Sequence, residues 1–225
     1  MQSLENQRVL ILGGSGQMGG ATARAVSRLG AVAILAGRSR EKLDHAAAGL
    51  EGRAETIVVD LSVPGAVADV LSEANADHIV VAMSANASAS DIPGTSVAAA
   101  QDAFKRFWAS YAAVQAAAKL PEHGSVTLLS GSSARTPAAG FGVWSTLHGS
   151  IEALARAATP ELAPVRVNVV SPGAIGLAPD RQLIPRRGVA DDIGQAIAAL
   201  ITNPAITGAV LDVDSGERKG TWSGH

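Results

Sequence analysis

Short, uninterrupted apolar runs alternate with longer segments in which apolar residues recur at helical spacing along the chain. Apolar runs without polar alternation are typical of parallel strands that are covered on both faces. The pattern predicts strands at residues 8–12, 32–36, 54–59, 78–83, 125–130, 166–170 and 209–213. It predicts helices between them, at residues 18–29, 40–50, 64–74, 98–119, 143–162 and 190–201.

The regular alternation of strand and helix determines the expected architecture. Right-handed crossovers between parallel strands place helices on both faces of one sheet. We therefore predict an α/β fold with a single Rossmann-type, doubly wound parallel sheet of about seven strands. No internal repeat or long linker interrupts the alternation, so we expect one domain over residues 1–225, with a frayed tail from about residue 217.

The first predicted strand ends in a glycine-rich turn of the form G-x-x-G-x-x-G. Glycines let the backbone approach a pyrophosphate, and the following helix N-terminus offers free N–H groups and a partial positive charge. A tight turn between strand and helix is the alternative explanation. The dinucleotide interpretation predicts cofactor contacts from Gly13, Ser15, Gly16, Gln17, Met18 and Gly19.

The end of the second predicted strand is where the adenosine ribose of a dinucleotide would lie. No carboxylate occurs between Ala31 and Arg40, whereas Arg38 and Ser39 follow the strand directly. A guanidinium attracts a ribose 2′-phosphate, which a carboxylate would repel. Arg38 and Ser39 therefore favour NADP(H) over NAD(H), although Arg38 and Arg40 are also explained as solvated charges at the start of a helix.

The third predicted strand closes with Asp60 and Leu61. In a dinucleotide site, Asp60 is placed to accept a hydrogen bond from the adenine amino group, and Leu61 to lie against the ring. The alternative role for Asp60 is to cap the helix that begins near Pro64.

Composition excludes several classes of protein. Of 225 residues, 47% are hydrophobic and 17% charged, which allows a sizeable core and argues against disorder. A net charge of −2 without a basic cluster argues against a nucleic-acid partner. The absence of cysteine excludes disulfides and thiol nucleophiles, and no metal site is predicted. Without a signal peptide or an apolar segment of roughly 20 residues, we expect a soluble, cytoplasmic protein.

From about residue 8 to residue 216 the chain resembles the short-chain dehydrogenase/reductase family. The most specific match is the run at residues 161–173, in which a helix end, a strand and a Pro-Gly turn follow one another. In that family the Pro-Gly turn lies against the nicotinamide, which implies contacts from Pro172, Gly173 and Ile175. The resemblance implies further cofactor contacts at the ends of the fourth and fifth strands, from Ala82, Met83 and Ser130.

The family's catalytic positions carry other residue types in this sequence. The family's Tyr-x-x-x-Lys motif aligns with Trp144 and His148, and its catalytic serine, thirteen residues before the tyrosine, aligns with Gly131. The family's asparagine on the preceding helix aligns approximately with Arg106. An indole N–H has no accessible acid pKa, so Trp144 cannot donate a proton reversibly at neutral pH.

Three residues are candidate catalytic groups: His148, Arg106 and Ser132. An unperturbed histidine pKa of about 6.5 suits acid–base work, and His148 stands where the family's lysine reaches the nicotinamide ribose. It is either a general acid–base or only a hydrogen-bond partner of the ribose. A nearby Arg106 would lower the pKa of His148 by charge repulsion. Ser132 and Ser130 are either hydroxyl groups that hold a substrate oxygen or groups that cap the loop.

Three functional hypotheses follow. The first is an NADP(H)-dependent oxidoreductase acting on a small carbonyl or alcohol, or on an activated C=C or C=N bond, with proton chemistry unlike that of the family. The second is a catalytically inert NADP(H)-binding sensor or scaffold, and the third is a structural subunit without cofactor binding. The small side chains of the helix at residues 143–162, together with the resemblance, favour a homodimer or homotetramer, with no membrane partner.

Overall fold

The computed structural model describes residues 3–63, 65–83, 90–173, 182–184 and 186–217. Its strands are β1 Arg8–Leu12, β2 Val32–Gly37, β3 Ala54–Val58, β4 His78–Val81, β5 Ser125–Leu129, β6 Arg166–Pro172 and β7 Val210–Val213. Its helices are α1 Gln17–Ser27, α2 Arg40–Ala48, α3 Ala66–Ala74, α4 Val97–Ala116, α5 Gly142–Leu162 and α6 Ala190–Thr202. Single 3₁₀ turns follow α4 at Ala117–Lys119 and β5 at Ser132–Ala134. Every predicted element is present, with bounds that differ by three residues or fewer.

The strands form one parallel sheet in the order β3-β2-β1-β4-β5-β6-β7. The order reverses at β1, because β2 and β3 lie on one side of it and β4 on the other. Such a reversal leaves a crevice beyond the carboxyl ends of the two central strands, where open α/β sheets bind their ligands. The predicted α/β, doubly wound architecture is confirmed.

Strand β1 shows why the predicted strands are apolar throughout rather than alternating. Val9 and Ile11 belong to one apolar cluster, together with residues of α1 and α6. Leu10 and Leu12 belong to another, together with residues of α3, α4 and α5. Each face of the strand is therefore covered by helices, and both sets of side chains are buried.

No helix in the described part of the chain has the length and apolar character needed to cross a membrane. The predicted frayed tail falls almost entirely on residues 218–225, which lie outside the described residues.

Candidate active site

The glycine-rich turn packs closely against the sheet and against α1. Gly13 has a φ of +86°, and a Cβ there would lie 3.0 Å from the backbone of Ala82. A Cβ on Gly19 would lie 2.2 Å from the carbonyl oxygen of Gly13. The N-cap residue Gly16 offers no side-chain acceptor to the first N–H groups of α1. The turn thus leads into a helix N-terminus that has no side-chain cap, an arrangement that fits a diphosphate.

The turn forms one wall of a cavity of about 420 Å³ at the carboxyl ends of the strands. Predicted cofactor or catalytic residues in its lining are Gly13, Ser15, Gly16, Arg38, Ser39, Asp60, Leu61, Met83 and Arg106. Residues that sequence reasoning did not single out are Gly37, Lys42, Val59, Ser62, Asp102 and Lys105. The structure therefore brings the predicted adenosine and diphosphate contacts together around one space.

Other predicted residues do not line this cavity. Three of them, residues 17–19, form the first turn of α1, so their predicted contact with a diphosphate would be made by backbone N–H groups. Ala82 is buried and continues the sheet through a 2.8 Å bond from its N–H to the Leu12 carbonyl. The other predicted site residues that are described but do not line the cavity are Ser130, Ser132, His148, Pro172 and Gly173. The contact predicted for Ile175 lies outside the described residues.

The two arginines after β2 have different surroundings. The Arg40 guanidinium donates to Thr56 Oγ1 at 2.7 Å and lies 3.8 Å from the Asp44 carboxylate. Among the described residues, the Arg38 side chain has neither a hydrogen bond nor an ion-pair partner, and it is exposed at the cavity. Ser39 caps α2 by accepting a bond from the Lys42 N–H at 3.4 Å. Arg38 is thus the guanidinium available to a phosphate, and Lys42 adds a second cation in the same lining.

Asp60 is held by the turn that follows it. Its Oδ1 accepts bonds from the N–H of Ser62 at 3.0 Å and from the Ser62 hydroxyl at 2.7 Å. These bonds, with smaller contributions from Arg38 and Lys105, hold the pKa of Asp60 below its usual value. The N-cap of α3 is Gly65, so the alternative role of Asp60 as the cap of that helix is wrong. The ionised carboxylate keeps its second oxygen available for a ligand.

His148 lies on α5, and its imidazole is enclosed between neighbouring side chains. Its Nε2 is 3.4 Å from the Arg106 guanidinium and its Nδ1 is 2.9 Å from Ser133 Oγ. Because a guanidinium only donates, Nε2 accepts, and Nδ1 of the neutral ring carries the hydrogen that is donated to Ser133. Burial, followed by the charge of Arg106, lowers the pKa of His148 to about 3. The ring is therefore neutral at neutral pH and is poorly suited to act as a general acid there.

The imidazole also occupies the space beside Gly131. A Cβ at position 131 would lie 2.6 Å from Cε1 and 2.7 Å from Nδ1 of His148. The family's serine at this position would meet the ring directly. The glycine at 131 and the histidine at 148, which look like separate departures in the sequence, are therefore one structural change.

We expect Gly131→Ala to lower the free energy of unfolding by about 1–3 kcal/mol, because the added methyl overpacks the site against the imidazole. In the double variant with His148→Ala the added cost should largely disappear, which urea denaturation measures as a coupling energy. Gly149→Ala is the control, since a Cβ there meets nothing within 4 Å and alanine favours the helix. Additive costs for the two substitutions would contradict the contact.

The hydroxyl of Ser130 is hydrogen-bonded to a buried carboxylate. Its hydroxyl donates to Oε1 of Glu152 at 3.0 Å, and both residues are buried. Arg135 joins this carboxylate to Asp212, with N···O distances of 3.3 and 2.5 Å. The hydroxyl therefore donates to a side chain of α5 rather than to the backbone of its own loop, and its contact with a cofactor or a substrate oxygen stays a prediction. Sequence reasoning missed Glu152, whose only signal is a lone carboxylate one helical turn after His148.

Ser132 opens the 3₁₀ turn after β5 and is half-buried. Its carbonyl accepts bonds from the N–H groups of Arg135 and Thr136, at 3.1 and 3.0 Å. Within the described ranges its hydroxyl makes no hydrogen bond, so the group is available to a ligand. Its role as a holder of the substrate oxygen stays a prediction.

The Pro-Gly turn at the end of β6 packs against the segment that follows β7. The N–H of Gly173 donates to the Val213 carbonyl at 3.1 Å, and a Cβ on Gly173 would lie 2.7 Å from Cα of Asp214. A larger residue than glycine is excluded at this position. The nicotinamide contact that the resemblance implies for this turn stays a prediction.

Comparisons with known proteins give the same fold and a family. A family model described as enoyl-(acyl carrier protein) reductase matches residues 15–217. The uncharacterized oxidoreductase MT0954 of Mycobacterium tuberculosis is 30% identical over 246 residues, covering 96% of this chain and 94% of that protein. The solved MalC reductase/Diels-Alderase of Malbranchea aurantiaca has a TM-score of 0.84 at 26% identity, covering 95% of this chain and 96% of that one. A short-chain dehydrogenase of Burkholderia cenocepacia J2315, solved in complex with NADP, matches in fold with a TM-score of 0.88 at 24% identity, covering 96% and 100% of the two chains.

The extent of these matches identifies the class: the chain belongs to the short-chain dehydrogenase/reductase family. It is an oxidoreductase of the short-chain type, with a fold that binds a nicotinamide cofactor. The resemblance drawn from the sequence is confirmed for both family and fold. The substrate and the preference between the two pyridine nucleotides are matters of proposal.

Proposed function

We propose that this protein is an NADP(H)-dependent reductase of small carbonyl compounds, in which an arginine takes over part of the work of the family's catalytic set. The observation that carries the proposal is the cavity at the carboxyl ends of the strands. Its lining includes the glycine turn and Arg38, whose side chain has no hydrogen-bond or ion-pair partner among the described residues. Asp60 and Leu61 complete the lining on the adenosine side.

The residues of the cavity divide the binding of the cofactor among them. The backbone N–H groups at the start of α1 bind the diphosphate, and Arg38 with Lys42 binds the 2′-phosphate. When bound, the cofactor supplies a hydride to the substrate. Arg106 also lines the cavity, and its positive charge stabilises negative charge developing on the substrate oxygen.

The proton chemistry follows from the state of His148. A ring with a pKa of about 3 holds no acidic proton at neutral pH, so we assign it the task of orienting Arg106. Ser132 holds the substrate oxygen, and water supplies the proton. A cationic C=N substrate is disfavoured because it would be repelled by the guanidinium, whereas a carbonyl or an activated C=C bond gains from it.

Arg38→Ala should weaken NADPH binding about tenfold to thirtyfold and leave NADH binding nearly unchanged, since it removes a charge-assisted bond to the 2′-phosphate only. Fluorescence titration with both nucleotides measures the two dissociation constants. Arg40→Ala is the matched control, because that guanidinium is engaged with Thr56 and Asp44. Equal losses of NADPH and NADH affinity in Arg38→Ala would contradict the assignment.

The proposal is tested by following NADPH absorbance with panels of carbonyl and conjugated carbonyl compounds. Oxidation with any of them supports a reductase. NADPH binding without turnover on any panel favours the second candidate, an inert NADP(H)-binding sensor or scaffold. One observation favours that candidate: the imidazole of His148, which contacts Arg106, has a pKa lowered to about 3 and therefore holds no proton to donate near pH 7. If the protein binds neither nucleotide, the remaining hypothesis is a structural subunit without cofactor binding.

We also propose a single domain over residues 1–225 that works as a cytoplasmic homodimer or homotetramer. Exposed aromatic side chains on α4 support self-association, because Trp108 is 62% exposed and Tyr111 is 46% exposed. Their rings lie 6.2 Å apart, centre to centre, and form one apolar surface. Light scattering coupled to gel filtration measures the oligomeric state.

A further inference from the structure

Two guanidinium groups are enclosed by the fold, Arg166 on β6 and Arg106 on α4, and burial lowers the pKa of each. The Arg166 group donates to four backbone carbonyls at and just beyond the C-terminal end of α6, at distances of 2.6–3.3 Å. The C-terminal end of a helix carries a partial negative charge, so this environment offsets the charge of Arg166. Arg166 is therefore a satisfied structural cation.

Arg106 has no comparable environment. Its Nη2 donates to the Leu129 carbonyl at 2.6 Å, and its Nη1 lies 3.4 Å from the neutral imidazole of His148. Its Nε is fully enclosed and has no acceptor among the described residues. Burial lowers the pKa of Arg106 to about 10, which still leaves the group charged at neutral pH.

The carboxylates nearest to this guanidinium in the fold are engaged elsewhere. Asp102 lines the same cavity one helical turn away, but it pairs with Lys105 at 2.6 Å. Glu152 accepts from Ser130 and pairs with Arg135. No described Asp or Glu forms an ion pair with Arg106. An enclosed charge without a counter-ion is destabilising unless a ligand supplies the opposite charge.

The position of Arg106 indicates which ligand supplies it. In the proposed binding mode the glycine turn binds the diphosphate and Arg38 binds the 2′-phosphate, which leaves Arg106 as a cation of the lining without an ion-pair partner among the described residues. Arg106 instead contacts His148, at the position from which the family's lysine reaches the nicotinamide ribose. In the proposed binding mode the cofactor's phosphates have other partners, so the charge of Arg106 in the cavity lining remains for an anionic group of the substrate.

We propose that Arg106 binds a carboxylate group of the substrate, so that the substrate class is that of small oxo acids. The inference rests on the proposed reductase function, whose site it shares. A planar guanidinium with unused N–H groups matches a carboxylate in a two-point arrangement. The substrate's carboxylate provides the counter-charge that no described Asp or Glu supplies.

The test uses the full chain saturated with NADP⁺ and measures binding of pyruvate, acetate and benzoate, each against its amide, by calorimetry. We expect at least one carboxylate to bind about tenfold more tightly than its amide. Arg106→Met should abolish that preference, and Arg106→Lys should retain part of it, since the charge remains while the fork is lost. Arg156→Met, an exposed arginine on α5, is the control that keeps the preference.

Thermal unfolding of the ligand-free protein separates this role from a structural one. Removal of an uncompensated charge should leave the melting temperature of Arg106→Met unchanged or raised. A clear fall in that temperature overturns the proposal, as does equal binding of acids and amides, or a carboxylate preference that survives in Arg106→Met. A tenfold loss of NADP⁺ affinity in Arg106→Met would show that the Arg106 guanidinium binds the cofactor rather than the substrate, and it would also overturn the proposal. Failure of the native chain to bind NADP⁺ at all is a different result, which overturns the reductase function itself.

Discussion

Gly19→Ala should lower the affinity for NADPH by about 30-fold to 100-fold, equivalent to about 2–3 kcal/mol of binding free energy. The added Cβ would lie 2.2 Å from the Gly13 carbonyl oxygen and 2.9 Å from Cα of Gly14. Both are backbone atoms, so the helix and the glycine turn must separate to make room for it. The N–H groups that surround the diphosphate would then lose their spacing. Fluorescence titration with NADPH measures the loss.

The neighbouring glycine provides the control for this substitution. A Cβ on Gly20 would have its nearest neighbour at 3.7 Å, the end of the Arg24 side chain, which is ordinary contact. Gly20→Ala should therefore keep the affinity for NADPH and stabilise α1 by up to about 1 kcal/mol. If the two alanine variants bind NADPH equally, the turn does not form the diphosphate site.

An acid-dependent loss of stability is the other large effect, and it is centred on His78 at the start of β4. This side chain is 2% exposed, with Ser125 Oγ 2.8 Å from Nδ1 and Gln7 Oε1 2.8 Å from Nε2. Burial, followed by the charge of Arg166, lowers the pKa of His78 to about 4, while Asp77 acts in the opposite direction. The folded protein therefore keeps this ring neutral.

The sign of the pH dependence follows from this lowered pKa. Between about pH 6.5 and pH 4 the unfolded chain binds a proton at His78 that the folded protein does not, so stability falls as the pH falls. The contribution is complete above pH 6.5, and about 3 kcal/mol is lost by pH 4. His148, with a pKa lowered to about 3, adds a loss of the same sign that continues to lower pH.

Urea denaturation at several pH values tests this. His78→Gln removes the titrating ring, and we expect the free energy of unfolding to depend less steeply on pH between 4 and 6.5. His45→Gln, an exposed histidine in the last turn of α2, should leave the slope unchanged. If the slope of His78→Gln equals that of the native chain, the ring is not the source of the acid sensitivity.

The sequence alone was sufficient for the fold, and it placed many of the predicted cofactor contacts around one cavity, because both depend on local signals. The run at residues 9–12 is apolar at every position, as expected for a strand covered on two faces, and the glycines follow it directly. Arg38 stands immediately after a strand, so its place at the cavity follows from the topology of the sheet. Element ends were less accurate, because turns such as that of Asp60 with Ser62 depend on side-chain bonds.

The catalytic half depends on contacts between residues that are far apart in the chain. Arg106 and His148 are 42 residues apart, and Ser130 and Glu152 are 22 apart, yet both pairs are in contact. The sequence made His148 a candidate acid, because an unperturbed histidine has a suitable pKa. The actual pKa could not be predicted, since it depends on burial that only the fold defines. The sequence also could not show that the imidazole of His148 fills the space that a side chain at position 131 would need.

Periodicity and local motifs thus determined the doubly wound sheet, its glycine turn and the position of Arg38 at the cavity, since each is encoded by neighbours along the chain. Tertiary structure decided the protonation state of His148, the hydrogen bond from Ser130 to Glu152 and the absence, among the described residues, of an ion-pair partner for Arg106. Those properties are set by desolvation and distance, which arise only when α4, α5 and β5 pack together.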